Sequence, residues 1–376
     1  MKEGWEYKTF EECIVKVPRQ KQIKSKDYLS SGIYPVVSQE QDLISGYYND
    51  ESYVYKHAKP IVVFGDHTKN IKYIDFDFVI GADGTQILMT IEDIETKFFY
   101  YAIKSIKLDN LGYARHYKLL KKNIIGFPSK DQQRRIVSYL DSSFKLIDEI
   151  KNKALKSLTE AKALFQSALA EAMEPKEGWE EKTLGELCSI IGRIGFRGYT
   201  RKDIVANENE GAISLSPSNI VNGSMSYNTC TYISWYKYEE SPEIKIKNGD
   251  ILMVKTGSSY GKSAYVENLP HEATINPQFV VLKDIKINKK FLSYKLKTNK
   301  TYDYINSIVS GSAIPTFSQA NLSKMIIEYP PLSTQKQIVS RLDSLSSKVR
   351  AIEEKYQKMI AECDALKQAM LREVFE

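Results

Sequence analysis

The 376-residue chain is poor in the residues that build metal and redox centres, with four cysteines and four histidines. Cys13, Cys188, Cys230 and Cys363 are too far apart for a Cys-x-x-Cys pair. His57, His67, His116 and His271 are equally scattered, which excludes the usual zinc spacings. Unpaired thiols in a reducing cytosol are therefore expected. No run of 18 apolar residues occurs, and Met1-Lys2-Glu3-Gly4-Trp5-Glu6 lacks the apolar stretch of a secretory signal. Neither a membrane span nor export is expected, and the location read from these absences is cytoplasmic. A large charge excess is missing too. Lys and Arg number 53 against 47 Asp and Glu, a net +6. That excludes a polycation while permitting nucleic-acid binding through local basic surfaces. No Gly-x-Ser-x-Gly elbow or His-Glu-x-x-His helix is present.

The apolar fraction of 42% is enough for globular cores, and Tyr is unusually common at 25 residues. The strongest signal is an internal repeat. Lys2-Glu3-Gly4-Trp5-Glu6 recurs as Lys176-Glu177-Gly178-Trp179-Glu180, each followed by Lys-Thr (Lys8-Thr9, Lys182-Thr183). The copies also end alike: Gln133, Ile136, Leu140 and Asp141 correspond to Gln335, Ile338, Leu342 and Asp343. The middles, residues 14–119 and 188–321, do not match in sequence. Within them, short β-type runs such as Pro60–Phe64, Phe76–Ile80, Asp250–Val254 and Gln278–Leu282 alternate with turn signals. One helix is expected in each middle, near Lys97–Ile106 and Lys289–Ser307.

The tails read as long helices. In the second, Ile338, Leu342, Leu345, Val349, Ile352, Tyr356, Met359, Cys363, Leu366, Met370 and Val374 follow heptad spacing. The equivalent first-copy seam runs through Leu140, Ile147, Ile150 and Leu164, with smaller residues between them. Small positions on one helix accommodate large ones on the other, which predicts an antiparallel pair, with a homotypic dimer through each helix as the alternative. The expected architecture is α+β. Two β-rich mixed domains, residues 1–130 and 175–332, are separated by a two-helix coiled coil, residues 131–174 and 333–376, with an internal pseudo-twofold repeat.

Two unlike modules, each opened by Gly-Trp and closed by Pro-x-x-x-x-Gln-x-x-Ile-x-x-x-Leu-Asp (Pro128 to Asp141, Pro330 to Asp343), resemble a type I restriction–modification specificity subunit. The resemblance covers the whole chain, and its specificity lies in the doubled arrangement. It implies a non-catalytic host-defence subunit whose two target-recognition domains each read one half of a bipartite site in double-stranded DNA. It also implies that the helices set the gap and dock two adenine methyltransferase subunits, and that restriction (translocase) subunits complete the nuclease. No cofactor is then expected in this chain; the methyl donor and ATP fall to partner subunits. The unlike middles predict an asymmetric target. Two alternatives stay open: the specificity subunit of a fused nuclease–methyltransferase system, and a coiled-coil protein-interaction scaffold without a DNA role.

Base reading needs polar side chains on groove-reaching loops, with cations and small residues at the phosphates. In the first module the candidates are Asp66, His67, Thr68, Lys69 and Asn70, then Arg115, His116 and Lys118 in the stretch Gly112–Lys118, with Gly81–Gln86 as a third loop. In the second they are Arg193, Arg197, Tyr199 and Arg201, then Lys255, Ser258, Ser259, Tyr260 and Lys262, with Ser310–Ala313 as a further turn. Polar turns that merely cap strands look the same in sequence. Gly257-Ser258-Ser259-Tyr260-Gly261-Lys262-Ser263 approaches a nucleotide-binding loop but has three residues between its glycines instead of four. The following Ala264-Tyr265-Val266 alternates like a strand. Asn276-Pro277-Gln278-Phe279 lacks the second Pro of an adenine methyltransferase box. No carboxylate cluster suited to a nuclease metal appears beyond the fragment Pro242-Glu243-Ile244-Lys245.

Overall fold

The structure, a computed structural model, describes residues 2–376 apart from 19, 110, 111, 113 and 312. It forms two compact units, residues 1–156 with 355–376 (unit 1) and residues 157–354 (unit 2).

Unit 1 opens with strand Glu6–Thr9, paired antiparallel to Ile124–Phe127. Thr9 and Glu12 form a reciprocal capping box that turns the chain immediately after the first strand. The main antiparallel sheet is centred on Thr85–Thr90, which lies between Ile14–Val15 and Ile61–Gly65, with Ile71–Ile74 outermost. A second sheet pairs Tyr34–Val37 parallel to Phe78–Gly81 and antiparallel to Gly46–Tyr48. Ile61–Gly65 is buried throughout, as its unbroken apolar run requires.

Unit 2 repeats this plan in unlike sequence. Glu180–Thr183 pairs with Ile326–Tyr329, and Thr183 and Glu186 repeat the capping box. Phe279–Lys283 lies between Ser189–Gly192 and Ile251–Val254, with Ser263–Tyr265 outermost. Gly211–Leu215 runs parallel to Ala273–Ile275 and antiparallel to Thr231–Ser234. The middles that share no sequence pattern therefore share strand order and direction in the main sheet and in three strands of the second, while the edges of the second sheet differ: Gln22–Ile23 and Val54–Tyr55 pair with Phe78–Gly81 in unit 1, and Ile204–Val205 pairs with Thr231–Ser234 in unit 2. The helix expected near Lys97–Ile106 spans Thr96–Ser105. The one expected over Lys289–Ser307 is two helices, Lys289–Lys295 and Asn299–Ile308. Thr298 breaks it by capping the second helix, its side chain accepting from Thr301 N–H.

The long helices run Lys130–Met173 and Leu332–Phe375. They pack antiparallel. In unit 1, Lys151 meets Asp364 (2.6 Å) and Lys367 meets Asp148 (2.5 Å). In unit 2, Lys162 meets Glu353 (3.9 Å) and Arg341 meets Glu171 (3.6 Å). Leu140, Ile147, Leu342 and Val349 are buried as the seam predicts, and Leu345 and Tyr356 are half-buried. Ile150, Leu164, Ile352 and Leu366 are exposed instead. A straight helix drifts from a strict seven-residue repeat, so the contact line steps one residue on, to Lys151, Phe165, Glu353 and Lys367. Three of these are charged, and their aliphatic stems lie in the seam while their heads reach ion-pair partners.

The repeated motif residues fasten each long helix to its β module. Gln133 is fully buried. Its Nε2 donates to the carbonyls of Pro128 (2.8 Å) and Asp93 (3.0 Å), and its Oε1 accepts from Glu95 N–H (2.8 Å), the residue capping helix Thr96–Ser105. Gln335 repeats this with Pro330 O (2.7 Å) and Asn288 N–H (2.8 Å), the cap of Lys289–Lys295. The Tyr101 hydroxyl donates to Asp141 (2.5 Å), which Lys97 also approaches (2.7 Å). Tyr294 and Lys290 hold Asp343 the same way (2.7 and 3.3 Å). Trp5 packs on Phe98 and Trp179 on Phe291, with ring centroids 5.9 and 6.0 Å apart.

Substituting Gln335→Ala leaves Asn288 N–H and Pro330 O without that partner, at an expected cost of about 1–3 kcal/mol. Amide hydrogen exchange should rise across residues 288–296 and stay unchanged across 95–105. Equal exchange in both segments before and after the substitution would show that this amide does not hold the module.

Candidate nucleic-acid interface

In unit 1 the candidate loops gather through backbone and buried polar bonds. The hairpin turn after Ile61–Gly65 brings Asp66 N–H to Gly84 O (2.8 Å), and Asp66 O accepts from His116 N–H (2.8 Å). The Asp66 carboxylate accepts from Tyr117 N–H (2.8 Å), with Arg115 Nε at 3.9 Å. The three segments expected to reach DNA separately, 65–70, 81–86 and 112–118, therefore form one cluster. Tyr113 lies outside the described residues. Gln39, absent from the sequence-derived candidates, links the cluster: its Oε1 accepts from His67 N–H (3.0 Å), and its backbone carbonyl accepts from Thr68 Oγ1 (2.5 Å) and Asn70 Nδ2 (2.9 Å). Gly84 adopts φ +80°, and a Cβ there would meet Gln39 Oε1 and His67 Cδ2, each at 2.9 Å.

Two expectations change here. Asp66 and His116 are buried, with Asp66 4% exposed and His116 0%. Both bind the frame rather than facing outward, because a carboxylate that accepts from a neighbouring backbone N–H is drawn into the packing. Thr68, Arg115 and Lys118 are exposed, and His67, Lys69 and Asn70 are half-buried.

In unit 2 the turn between Ile251–Val254 and Ser263–Tyr265 holds Lys255, Ser258, Ser259, Tyr260 and Lys262. It occupies the same topological place as the Asp66–Asn70 turn. A strand follows it, so it is a hairpin and not a strand-to-helix phosphate loop. Lys255 N–H donates to Gln278 O (2.8 Å), and Gly257 N–H to Pro315 O (2.9 Å). Thr256 and Thr316 share a hydroxyl hydrogen bond (2.8 Å) that joins this turn to segment 310–316, whose Ser312 lies outside the described residues. Ser258 and Lys262 are exposed. Tyr260 is half-buried and engaged within the unit: its hydroxyl donates to Asn306 Oδ1 (3.0 Å) and its ring stacks on Tyr302.

Arg193 also corrects an expectation. It is 7% exposed. Its guanidinium donates to Ile275 O (3.0 Å), Thr274 Oγ1 (3.1 Å) and Arg197 O (3.3 Å), with Tyr199 beneath at 5.5 Å. Burial pulls its pKa below the ordinary value. Five donors in one planar group suit it to tie a loop to a strand end. Arg197 pairs with Glu243 (3.5 Å), the Tyr199 hydroxyl accepts from Ser214 Oγ (2.9 Å), and Arg201 is exposed.

The family model "Type I restriction modification DNA specificity domain" matches residues 2–160 and again residues 176–361. The chain belongs to that family. It is 22% identical over 350 residues to the specificity subunit of type I restriction enzyme EcoR124I/EcoR124II from Escherichia coli, spanning 90% of this chain and 85% of that subunit. It is 24% identical over 247 residues to the MjaVIII specificity subunit of Methanocaldococcus jannaschii, spanning 61% and 57%. A solved chain described under complex assembly and conformational transition of the type I R-M system has the same fold (TM-score 0.71, 18% identity, covering 100% of this chain and 98% of that one). The protein is thus a DNA specificity subunit of a type I restriction–modification system, non-catalytic within that complex, with the cofactors belonging to partner subunits. Among the described residues no helix is long and apolar enough to cross a membrane, and no group of His, Cys, Asp and Glu is placed to hold a metal.

The burial of Arg193 separates two roles that look alike in sequence. Arg193→Ala should destabilise unit 2 by about 2–3 kcal/mol through the lost charged hydrogen bonds. Arg201→Ala should stay within about 0.5 kcal/mol of the parent. Thermal unfolding of the two variants checks this, and equal midpoints would reject the structural role.

Proposed function

We propose that the β-rich modules, residues 1–130 and 175–332, each read one half of an asymmetric, bipartite site in double-stranded DNA. The supporting observation is that the same main-sheet topology carries different loop chemistry in the two units. In unit 1 the outward set is His67, Thr68, Lys69, Asn70, Arg115 and Lys118. In unit 2 it is Arg197, Arg201, Lys255, Ser258, Ser259 and Lys262, with Tyr199 half-buried beneath Arg193. The cations serve phosphates, while hydroxyl, amide and imidazole groups serve base edges. The modest +6 leaves tight binding to the assembly.

The long helices act as the spacer. Each has 44 residues, so about 66 Å at a rise of ~1.5 Å per residue, ample against the ~34 Å of one DNA turn. Two adenine methyltransferase subunits dock on their outer faces, where Tyr139, Leu146 and Ile150 expose apolar side chains on the first helix. Translocase subunits complete the nuclease, and the assembly works in the cytoplasm.

Co-expression with the neighbouring methyltransferase, followed by genome-wide mapping of methyladenine, should give a split motif with two different halves and a fixed gap. A continuous or palindromic motif would reject the reading.

The antiparallel pairing defines the spacer test. Seven residues inserted after Ser157 need seven more opposite them, after Lys358, to keep the ion pairs in register. The paired insertion adds ~10 Å. It should widen the gap by one to about three base pairs at ~3.4 Å each, with both half-sites unchanged. An active variant with an unaltered gap would sink the spacer role.

A further inference from the structure

The duplicated frame allows a comparison within one chain. On the long helices, a residue of the first matches the one 202 positions later on the second, as Leu140 matches Leu342. Unit 1 carries the cross-helix pairs Lys151–Asp364 and Asp148–Lys367. The unit 2 equivalent of the former is Glu353–Lys162, the same pair with its signs exchanged. The equivalent of the latter is Arg350 and Phe165, so the pair is gone. Among the described residues Arg350 has no carboxylate at ion-pair distance; its Nη2 donates to Ser224 Oγ (2.7 Å).

Around Arg350 lies a cleft of about 520 Å³, within the range of small-ligand sites. Four cations line it, Lys162, Lys262, Lys297 and Arg350, against one carboxylate, Glu353. The matching cleft of unit 1 sets Lys104, Lys145 and Lys367 against Asp141, Asp148 and Glu149. The frame itself therefore requires no cationic excess. Lys297 Nζ donates to Gly223 O (2.8 Å), and burial together with Arg350 pushes its pKa down to about 8. The carboxylates whose charge acts on it are engaged elsewhere: Asp343 holds Tyr294 and Lys290, and Glu267 holds Lys290. Ser263 also lines the cleft. It is 4% exposed, and its Oγ has no hydrogen-bond partner among the described residues. A buried unpaired hydroxyl costs free energy that a bound acceptor returns.

We propose that this cleft binds a phosphate ester of nucleotide size, its oxygens held by Arg350, Lys297 and the Ser263 hydroxyl, with Phe165 and Tyr302 as the apolar wall. A phosphate monoester carries a charge of about −1.5 to −2 near neutral pH. That matches the cationic excess better than a single carboxylate does. A free nucleotide presents the phosphate as a monoester and a DNA strand presents it as a singly charged diester, and the test separates the two.

Calorimetric titration of the full-length protein with adenosine monophosphate, inorganic phosphate, adenosine and a random-sequence duplex reads the site directly. The variant pair Arg350→Asp with Phe165→Lys installs the unit 1 ion pair, so the frame is kept, and Arg350→Lys keeps the charge. Adenosine monophosphate should bind the parent and Arg350→Lys, bind the double variant at least about tenfold more weakly, and bind better than adenosine to the parent. If duplex affinity alone falls in the double variant, the phosphate belongs to a strand and the site stands. Equal behaviour of parent and double variant towards all four probes would overturn it. The nucleotide arm is independent of base reading, so a failed methylation motif leaves it intact.

Discussion

What each unit presents outward depends on a buried side-chain amide, Gln133 in one and Gln335 in the other. Hydrophobic burial alone would press helix against module without fixing direction, because apolar contacts are non-directional. The amide adds direction: it satisfies the carbonyl of the proline before the long helix and the N–H that caps the module's own helix. The Asp–Tyr–Lys clusters at Asp141 and Asp343 fix the same pair of helices about two turns further along the long helix. Two polar anchors that far apart set an orientation as well as a contact. This accounts for the spacing Gln-x-x-Ile-x-x-x-Leu-Asp: the amide and carboxylate anchor, while Leu140 and Leu342 fill the seam between the anchors.

With orientation fixed in this way, loops are free to differ. The hairpin turns at Asp66–Asn70 and Lys255–Lys262 sit at one place in one topology and share almost no chemistry. Each is tied down by a short list of inward bonds, through Asp66, Gln39 and His116 in unit 1 and through Thr256, Tyr260 and Thr316 in unit 2. The remaining side chains are released to the outside. The support is common to both units and the loop chemistry is not, so the proposed base reading falls to the loops.

The frame was legible because its signals are periodic or repeated. Gly-Trp, the Pro-to-Asp motif and the heptads all exist twice, and short apolar runs placed the central strands Ile61–Gly65 and Phe279–Lys283 within a residue or two. Legibility failed where tertiary context decides. Lys97-Phe98 and Lys290-Phe291, each with a Tyr four residues after the Lys, form a second repeated motif, but it hides in middles that otherwise differ. Arg193 and Arg201 lie in one glycine-rich stretch, and only the neighbouring strand end at Ile275 determines which turns inward. Ile150 and Leu164 satisfy a strict heptad, whereas a helix of 3.6 residues per turn carries the contact line to Lys151 and Phe165. Gln39 had no signal at all, being one of five consecutive polar residues, Ser38-Gln39-Glu40-Gln41-Asp42.

The division of the chain has a temporal side. Unit 2 is one continuous stretch, residues 157–354, whereas unit 1 closes only with residues 355–376. Leu371 and Cys363 share a core with Leu140 and Phe144, and Phe375 packs on Trp5 and Phe98. During synthesis from the N-terminus, the half that leaves the ribosome first is completed last, holding its aromatic surface open until the final turns of helix arrive. A frameshift within the codons for residues 355–376 would accordingly strip the support from the module of residues 1–156 and spare that of residues 157–354.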